Sequence, residues 1–282
     1  MALRVSRRIA ACPTSRVCTI RSRAGYVVVA PDYQGLGSPG PHPFLGGTAS
    51  AHSVIDAVSA MSQANAGQRC ALFGESLGDY SSIWAGSEAA RYALELQLVG
   101  VAAAAPPTDL KANLTGGTNA AVRAFLTVLH RKQLGKVYSL PLTTVVKPHT
   151  VSLIHVLARN CVTLDGVKLR TKIGMLRLAG QLRNVDLTAS PRWEALMDRN
   201  SVDPARLIVP LFIAQGSKDP IVAPGVTHSF VGALCRQGAA VRFMPIDGGD
   251  HVSVGKRSAN DVVAWMGDRF AGHTAPSSCR AL

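Results

Sequence analysis

Three residues stand in settings that suit nucleophilic chemistry. Ser76 lies in "ALFGESLGDY", within the pattern Gly-x-Ser-x-Gly. Asp219 lies downstream in "AQGSKDPIVAP" and His251 in "IDGGDHVSVG". A serine hydroxyl is a poor nucleophile at neutral pH, so it needs a base to take its proton, and the base needs an acid to orient it. Plainer readings stand beside this one. Gly and Ser are common enough here for the pattern to arise by chance. As lesser readings, Asp219 is a loop carboxylate paired with Lys218, and His251 a surface histidine beside Asp250. Asp247 and Asp250 compete for the acid's role but lie too near His251 in the chain to approach its ring easily. His42, His52, His130, His149, His155, His228 and His273 have no comparable context.

The elements around these residues decide between the readings. "RCALF" reads as a short buried strand running into the GESLG turn, and "DYSSIWAGSEAARYAL" as the helix after it. A strand, a tight corner and a helix would lift the Ser76 hydroxyl to the carboxyl edge of a sheet. "GYVVVAPDY" reads as a buried strand, "LGSPGPHPFLGG" as a loop, "SAHSVIDAVSAMSQ" as a helix and "LQLVGVAAAA" as a strand. Further on, "RLIVPLFIAQG" and "AAVRFMPID" read as strands. "GVTHSFVGALCRQG" and "DVVAWMGDRFAG" read as helices. Asp219 and His251 each then fall in a loop just after a strand. Alternating strands and helices predict an α/β fold with a mainly parallel sheet, and the order Ser, Asp, His matches the α/β-hydrolase arrangement.

Between about Lys111 and Ser201 the alternation lapses. "AVRAFLTVLH", "VSLIHVLARN" and "GMLRLAGQL" read as short amphipathic helices, which predicts a helical cap. The expected organisation is a basic irregular segment over 1–24, a first core part over 25–110, a cap over 111–200, and a second core part with a tail over 201–282.

Composition limits the remaining classes. The chain has 282 residues, 47% of them apolar and 17% charged, which fits a globular protein. Its longest apolar run, "LVGVAAAAPP", is too short to span a bilayer. The basic amino terminus lacks the apolar core of a secretory signal, so no signal peptide is expected. The net charge of +13 is concentrated in that terminus and in the segment between Lys111 and Arg183, where Asp165 is the single acid. Such a field suits an anionic lipid surface. Nucleic acid is not expected as a partner, because the segment has few aromatics for base stacking and no binding motif. The wide spacing of Cys12, Cys18, Cys70, Cys161, Cys235 and Cys279 excludes a C-x-x-C metal or redox motif. One or two disulfides are expected if the protein is exported, and free thiols otherwise. Neither a metal nor a cofactor is expected.

With these motifs in place, the chain resembles the secretory lipase family of bacteria and fungi. The resemblance is carried by "GYVVVAPDYQGLGSPGPHPFLGG", "ALFGESLG", "LQLVGVAAAAPPTDL", "RWEALMDRNS", "PLFIAQGSKDPIVAP" and "GGDHVSVG". It runs from Gly25 to Cys279, is weakest across the cap, and has no counterpart before Gly25. It implies an α/β-hydrolase that cleaves carboxylic esters such as acylglycerols through an acyl-enzyme, with Ser76 as nucleophile, Asp219 as orienting acid and His251 as general base. It also implies an interfacial lid, an oxyanion donor at the Leu77 backbone N–H, and a commonly secreted or cell-envelope location. The second oxyanion donor should come from a loop before Gly25, where no matching turn is found. The reading is therefore of a chain truncated at its amino terminus with early strands missing, and the alternative is an inactive remnant or surface-binding pseudoenzyme.

Asp79 departs from the family, which usually places another glycine there. A carboxylate in the first helical turn suits the helix dipole but opposes a nearby oxyanion unless it points away. On that reading, glycine at position 79 leaves ester hydrolysis undiminished.

Overall fold

The computed structural model describes residues 25–116, 146–157, 169–182 and 191–280, with a few isolated positions between 126 and 143. Elements are numbered over these residues. Helix α1 (Gly47–Met61) precedes strand β1 (Arg69–Glu75), helix α2 (Leu77–Tyr92) and strand β2 (Gln97–Ala104). The helices α3 (Leu110–Gly116), α4 (Pro148–Leu157), α5 (Leu169–Gln181) and α6 (Pro191–Asn200) come next. Strand β3 (Leu211–Gly216), helix α7 (Pro224–Arg236), strand β4 (Val241–Ile246) and helix α8 (His251–Phe270) complete the order. Among the described residues no helix is long and apolar enough to cross a membrane.

The four strands form one sheet in the order β1-β2-β3-β4, with every neighbouring pair parallel. Alternation of side chains along each strand assigns residues to its two faces. Val101, Ala103, Leu211 and Ile213 pack with Ile55 of α1, Ile83 and Trp84 of α2, and Val231 and Leu234 of α7. Ala102, Ala104, Phe212 and Ala214 face the other way, against Val254, Val262, Trp265 and Met266 of α8. The small alanines of β2 let α8 lie close to the sheet. Gly100 serves the same end, because a Cβ there would meet the Trp265 ring at 2.6 Å. This three-layer sandwich brings the carboxyl ends of β1, β3 and β4 to one edge, where Ser76, Asp219 and His251 follow.

Two sequence expectations are corrected. "GYVVVAPDY" is not a buried strand: residues 26–33 form no strand, and Val27 and Val29 are 62% and 37% exposed. A strand needs a ladder partner for its backbone groups, and among the described residues no strand lies beside this stretch. The closing helix begins ten residues earlier than "DVVAWMGDRFAG" suggested, at His251 itself. Asp250 starts it as N-cap: its Oδ1 accepts the Ser253 N–H at 2.8 Å, and the Ser253 hydroxyl accepts the Asp250 N–H at 3.0 Å. The expected helix over 121–130 lies outside the described residues, apart from the single position 126. Cys235 of α7 is joined to Cys279 by a disulfide, and Cys70 is a free thiol.

Candidate active site

The turn after β1 is built on a close backbone approach. A Cβ on Gly74 would lie 2.0 Å from the carbonyl carbon of Gly78 and 2.4 Å from the Asp79 nitrogen. Only glycine lets the chain fold back so tightly. Between them Ser76 takes φ 57° and ψ −112°, a sparsely populated conformation for a residue with a side chain. The strand-to-helix corner expected from the sequence is therefore present and strained. The second glycine of the motif differs, because a Cβ on Gly78 would meet open space.

Asp219 is fixed by a dense set of donors. Its Oδ1 accepts the N–H groups of Ile221 and Val222 at 2.8 and 2.9 Å. Its Oδ2 accepts from Gln215 Nε2 at 3.2 Å and from His251 Nδ1 at 2.8 Å. Gln215 is itself held, its Oε1 accepting the Thr227 hydroxyl at 2.7 Å. The loops carrying Asp219 and His251 are laced together. The Lys218 N–H donates to the Gly249 carbonyl at 2.9 Å, and Ser217 N–H to that of Ile246 at 3.0 Å. Gly216 permits this closeness, since a Cβ there would meet the Gly249 carbonyl oxygen at 2.3 Å.

His251 is the first residue of α8, with its side chain 9% exposed. Its Nε2 lies 2.9 Å from Ser76 Oγ. Because the Asp219 carboxylate faces Nδ1, the ring proton belongs on Nδ1, and Nε2 is left to accept the serine proton. The three residues singled out in the sequence thus form one hydrogen-bonded chain, Ser76–His251–Asp219, drawn from the chain just past the carboxyl ends of β1, β3 and β4.

The nearby carboxylates take other positions. Asp250 caps α8, and the Ser253 hydroxyl and backbone N–H hold its carboxyl below the usual range. Asp247 accepts from the Ser217 hydroxyl at 3.1 Å. Leu77 opens α2, so its N–H has no acceptor within the helix. Among the described residues no group of three His, Cys, Asp or Glu side chains is placed to hold a metal ion.

Two residues take positions that the sequence does not reveal. Gln215 drew no notice, although its position four residues before Asp219 places it at the end of β3, beside the acid. Asp79 was expected to be harmless to replace. Its carboxyl instead bonds to the Ser76 N–H at 2.7 Å and the Ala104 N–H at 2.6 Å, fully buried beneath the turn.

Comparisons with known proteins identify the family and the fold. The family model described as secretory lipase matches residues 17–278, so the match begins ahead of Gly25, earlier than the sequence motifs suggested. Lipase A of Arthroderma benhamiae is 23% identical over 265 residues, which cover 91% of this chain and 55% of that protein. Lipase 7 of Candida albicans is 40% identical over 83 residues, or 28% of this chain and 18% of that protein. Among solved structures, Candida antarctica lipase A superposes with a TM-score of 0.67 at 19% identity, covering 84% of this chain and 57% of that one. The rice cell wall degrading esterase of Xanthomonas oryzae gives 0.60 at 16% identity, over 86% and 71%. These likenesses establish the α/β-hydrolase fold. The chain spans about half the length of Lipase A and of Candida antarctica lipase A.

Proposed function

The chain belongs to the secretory lipase family, and from that premise we propose that it is a serine ester hydrolase acting on carboxylic esters of the acylglycerol type. The observation that carries this reading is the hydrogen-bonded chain from Ser76 Oγ through His251 to Asp219, at 2.9 and 2.8 Å. In the proposed mechanism Ser76 Oγ attacks the ester carbonyl carbon while His251 Nε2 takes its proton. Asp219 holds the imidazole and stabilises the imidazolium that forms. The Leu77 N–H, at the positive end of α2, donates to the oxyanion. Collapse expels the alkoxide, which leaves as an alcohol with the proton from His251. Water, activated by the same nitrogen, then cleaves the acyl-enzyme and releases the fatty acid.

The proposed partner is a lipid surface. Leu169, Ile173 and Leu176 are exposed along one side of α5, while Thr171, Gly174, Met175 and Leu178 are buried on the other. Arg170, Lys172 and Arg177 flank the exposed apolar stripe. An apolar stripe bordered by cations favours an anionic bilayer interface. Cosedimentation with phosphatidylglycerol vesicles that weakens in Leu169→Ser/Leu176→Ser is expected, and undiminished binding contradicts this part.

The test of the activity is labelling by a fluorophosphonate and turnover of p-nitrophenyl esters, with Ser76→Ala as control. Labelling and turnover that vanish in the variant support the hydrolase. A folded wild-type protein that does neither supports the inactive, surface-binding alternative.

A further inference from the structure

Asp79 has no task in the mechanism above, yet it is the most completely buried carboxyl group near Ser76. It lies in the first turn of α2, three residues past Ser76. Each of its oxygens serves one backbone donor. Oδ2 accepts the Ser76 N–H at 2.7 Å, and Oδ1 accepts the Ala104 N–H at 2.6 Å. The Ser76 N–H also faces the Ala104 carbonyl, but at 3.4 Å, so the carboxyl is its main partner.

These donors mark where two strands part. Glu75 and Ala104 are the last paired residues of β1 and β2. Beyond them the chain turns into α2 on one side. On the other, Ala105 takes φ 69° and passes its N–H to the Ala214 carbonyl of β3 at 2.9 Å. The Asp79 carboxyl bridges this fork and closes the gap that the ending ladder leaves.

We propose that Asp79 is a positioning residue of the nucleophile turn: its carboxyl group clamps Ser76 to the end of β2, and so holds Ser76 Oγ and the Leu77 N–H in register with His251 Nε2. The kinetic part of this proposal rests on the hydrolase reading; the clamp itself is a matter of backbone hydrogen bonding. A residue strained like Ser76 persists only where its surroundings over-determine it. Rotation of the peptide after Ser76 would relieve the strain, and it would swing the Leu77 N–H away from a developing oxyanion. Alanine or glycine at position 79 leaves the buried Ala104 N–H without its acceptor and the Ser76 N–H with only the distant Ala104 carbonyl. Asparagine offers one acceptor and turns an N–H group against the other donor, so it keeps half of the clamp.

A charged carboxylate so near the oxyanion would oppose catalysis. Burial, first, and the neighbouring Glu75 of β1 push the Asp79 carboxyl well above the ordinary carboxylate range, against the pull of its two N–H donors. Tyr33, from the segment before α1, has its phenol pKa raised by burial first and, behind it, by the charge of Asp79. The clamp itself rests on geometry, one backbone N–H at each carboxyl oxygen.

The test uses the full chain with Asp79→Ala and Asp79→Asn. In wild type, amide resonances of Ser76 and Ala104 are expected downfield and slow to exchange. The alanine variant loses both signatures and the asparagine variant loses one. With p-nitrophenyl butyrate, kcat and the rate of fluorophosphonate labelling are expected to fall on the order of 100-fold in Asp79→Ala, as for a displaced reacting group. KM stays within about twofold, because the loss falls on the transition state, and Asp79→Asn lies between. A folded alanine variant with wild-type kcat and labelling overturns the proposal, as do unchanged Ser76 and Ala104 amides. Should the alanine variant fail to fold, the asparagine variant decides by the same readings. A wild type that neither labels nor turns over refutes the hydrolase reading instead, and the amide resonances still decide the clamp.

Discussion

Gly74 and Gly78, the two glycines around Ser76, stand back to back with opposite tolerances. A Cβ on Gly74 would lie 2.0 Å from the Gly78 carbonyl carbon, while a Cβ on Gly78 would meet nothing within 4 Å. Gly74→Ala is therefore expected to open the turn and abolish both ester turnover and fluorophosphonate labelling. Gly78→Ala should leave the fold and the melting temperature nearly unchanged, since Gly78 lies in a helix where alanine is favoured. Equal loss of stability in the two variants would contradict this account.

The hydrogen bonds around Asp219 predict what asparagine would do there. The Ile221 and Val222 N–H groups require an acceptor at the Oδ1 position, so the amide nitrogen must face His251. It then donates to Nδ1, drives the ring proton to Nε2 and leaves no acceptor for the Ser76 hydroxyl. Asp219→Asn should lower kcat by about 10⁴-fold, as a wrong tautomer does in a serine triad. Gln215→Ala removes one donor from Oδ2 and should cost about 10-fold, in line with one hydrogen bond to a charged group. Steady-state kinetics on a short p-nitrophenyl ester measure both. A Gln215→Ala loss as large as that of Asp219→Asn would show that the network fails as a whole.

Asp79 also predicts a pH dependence of stability. Burial raises its carboxyl well above the usual range, whereas in the unfolded chain it titrates at about 4. A group raised on folding contributes stability that is fully present below its unfolded pKa and is lost as pH rises through the folded value. The unfolding free energy of wild type minus that of Asp79→Asn should therefore be most positive at and below about pH 4 (about the unfolded value) and shrink as pH rises above it. Urea denaturation across this range measures it. A difference that is flat or grows with pH contradicts the sign.

The sequence made some of this plain and concealed the rest for identifiable reasons. Strands β1 to β4 were legible because their apolar runs are short and end at turns. The placement of Ser76, Asp219 and His251 at strand ends followed from that. "GYVVVAPDY" misled because its composition reports a capacity for strand, while a strand also needs a partner that composition cannot reveal. The early start of α8 is written in Asp-His-Val-Ser, an N-cap pattern whose Asp250 and Ser253 bond reciprocally. Gln215 and Asp79 act through hydrogen bonds to groups that only the folded chain brings near. In Asp79 a charge in the first helical turn looked like a response to the helix dipole, and its real partners are the N–H groups of Ser76 and Ala104.

The central claim is that Ser76, activated by His251, attacks an ester carbonyl. Its most direct measurement is intact-protein mass spectrometry after exposure to a fluorophosphonate, followed by peptide mapping. The account predicts one adduct per chain, on Ser76, formed far more slowly in His251→Ala and absent in Ser76→Ala. A folded, unlabelled wild type, or an adduct on another residue that survives Ser76→Ala, would contradict it.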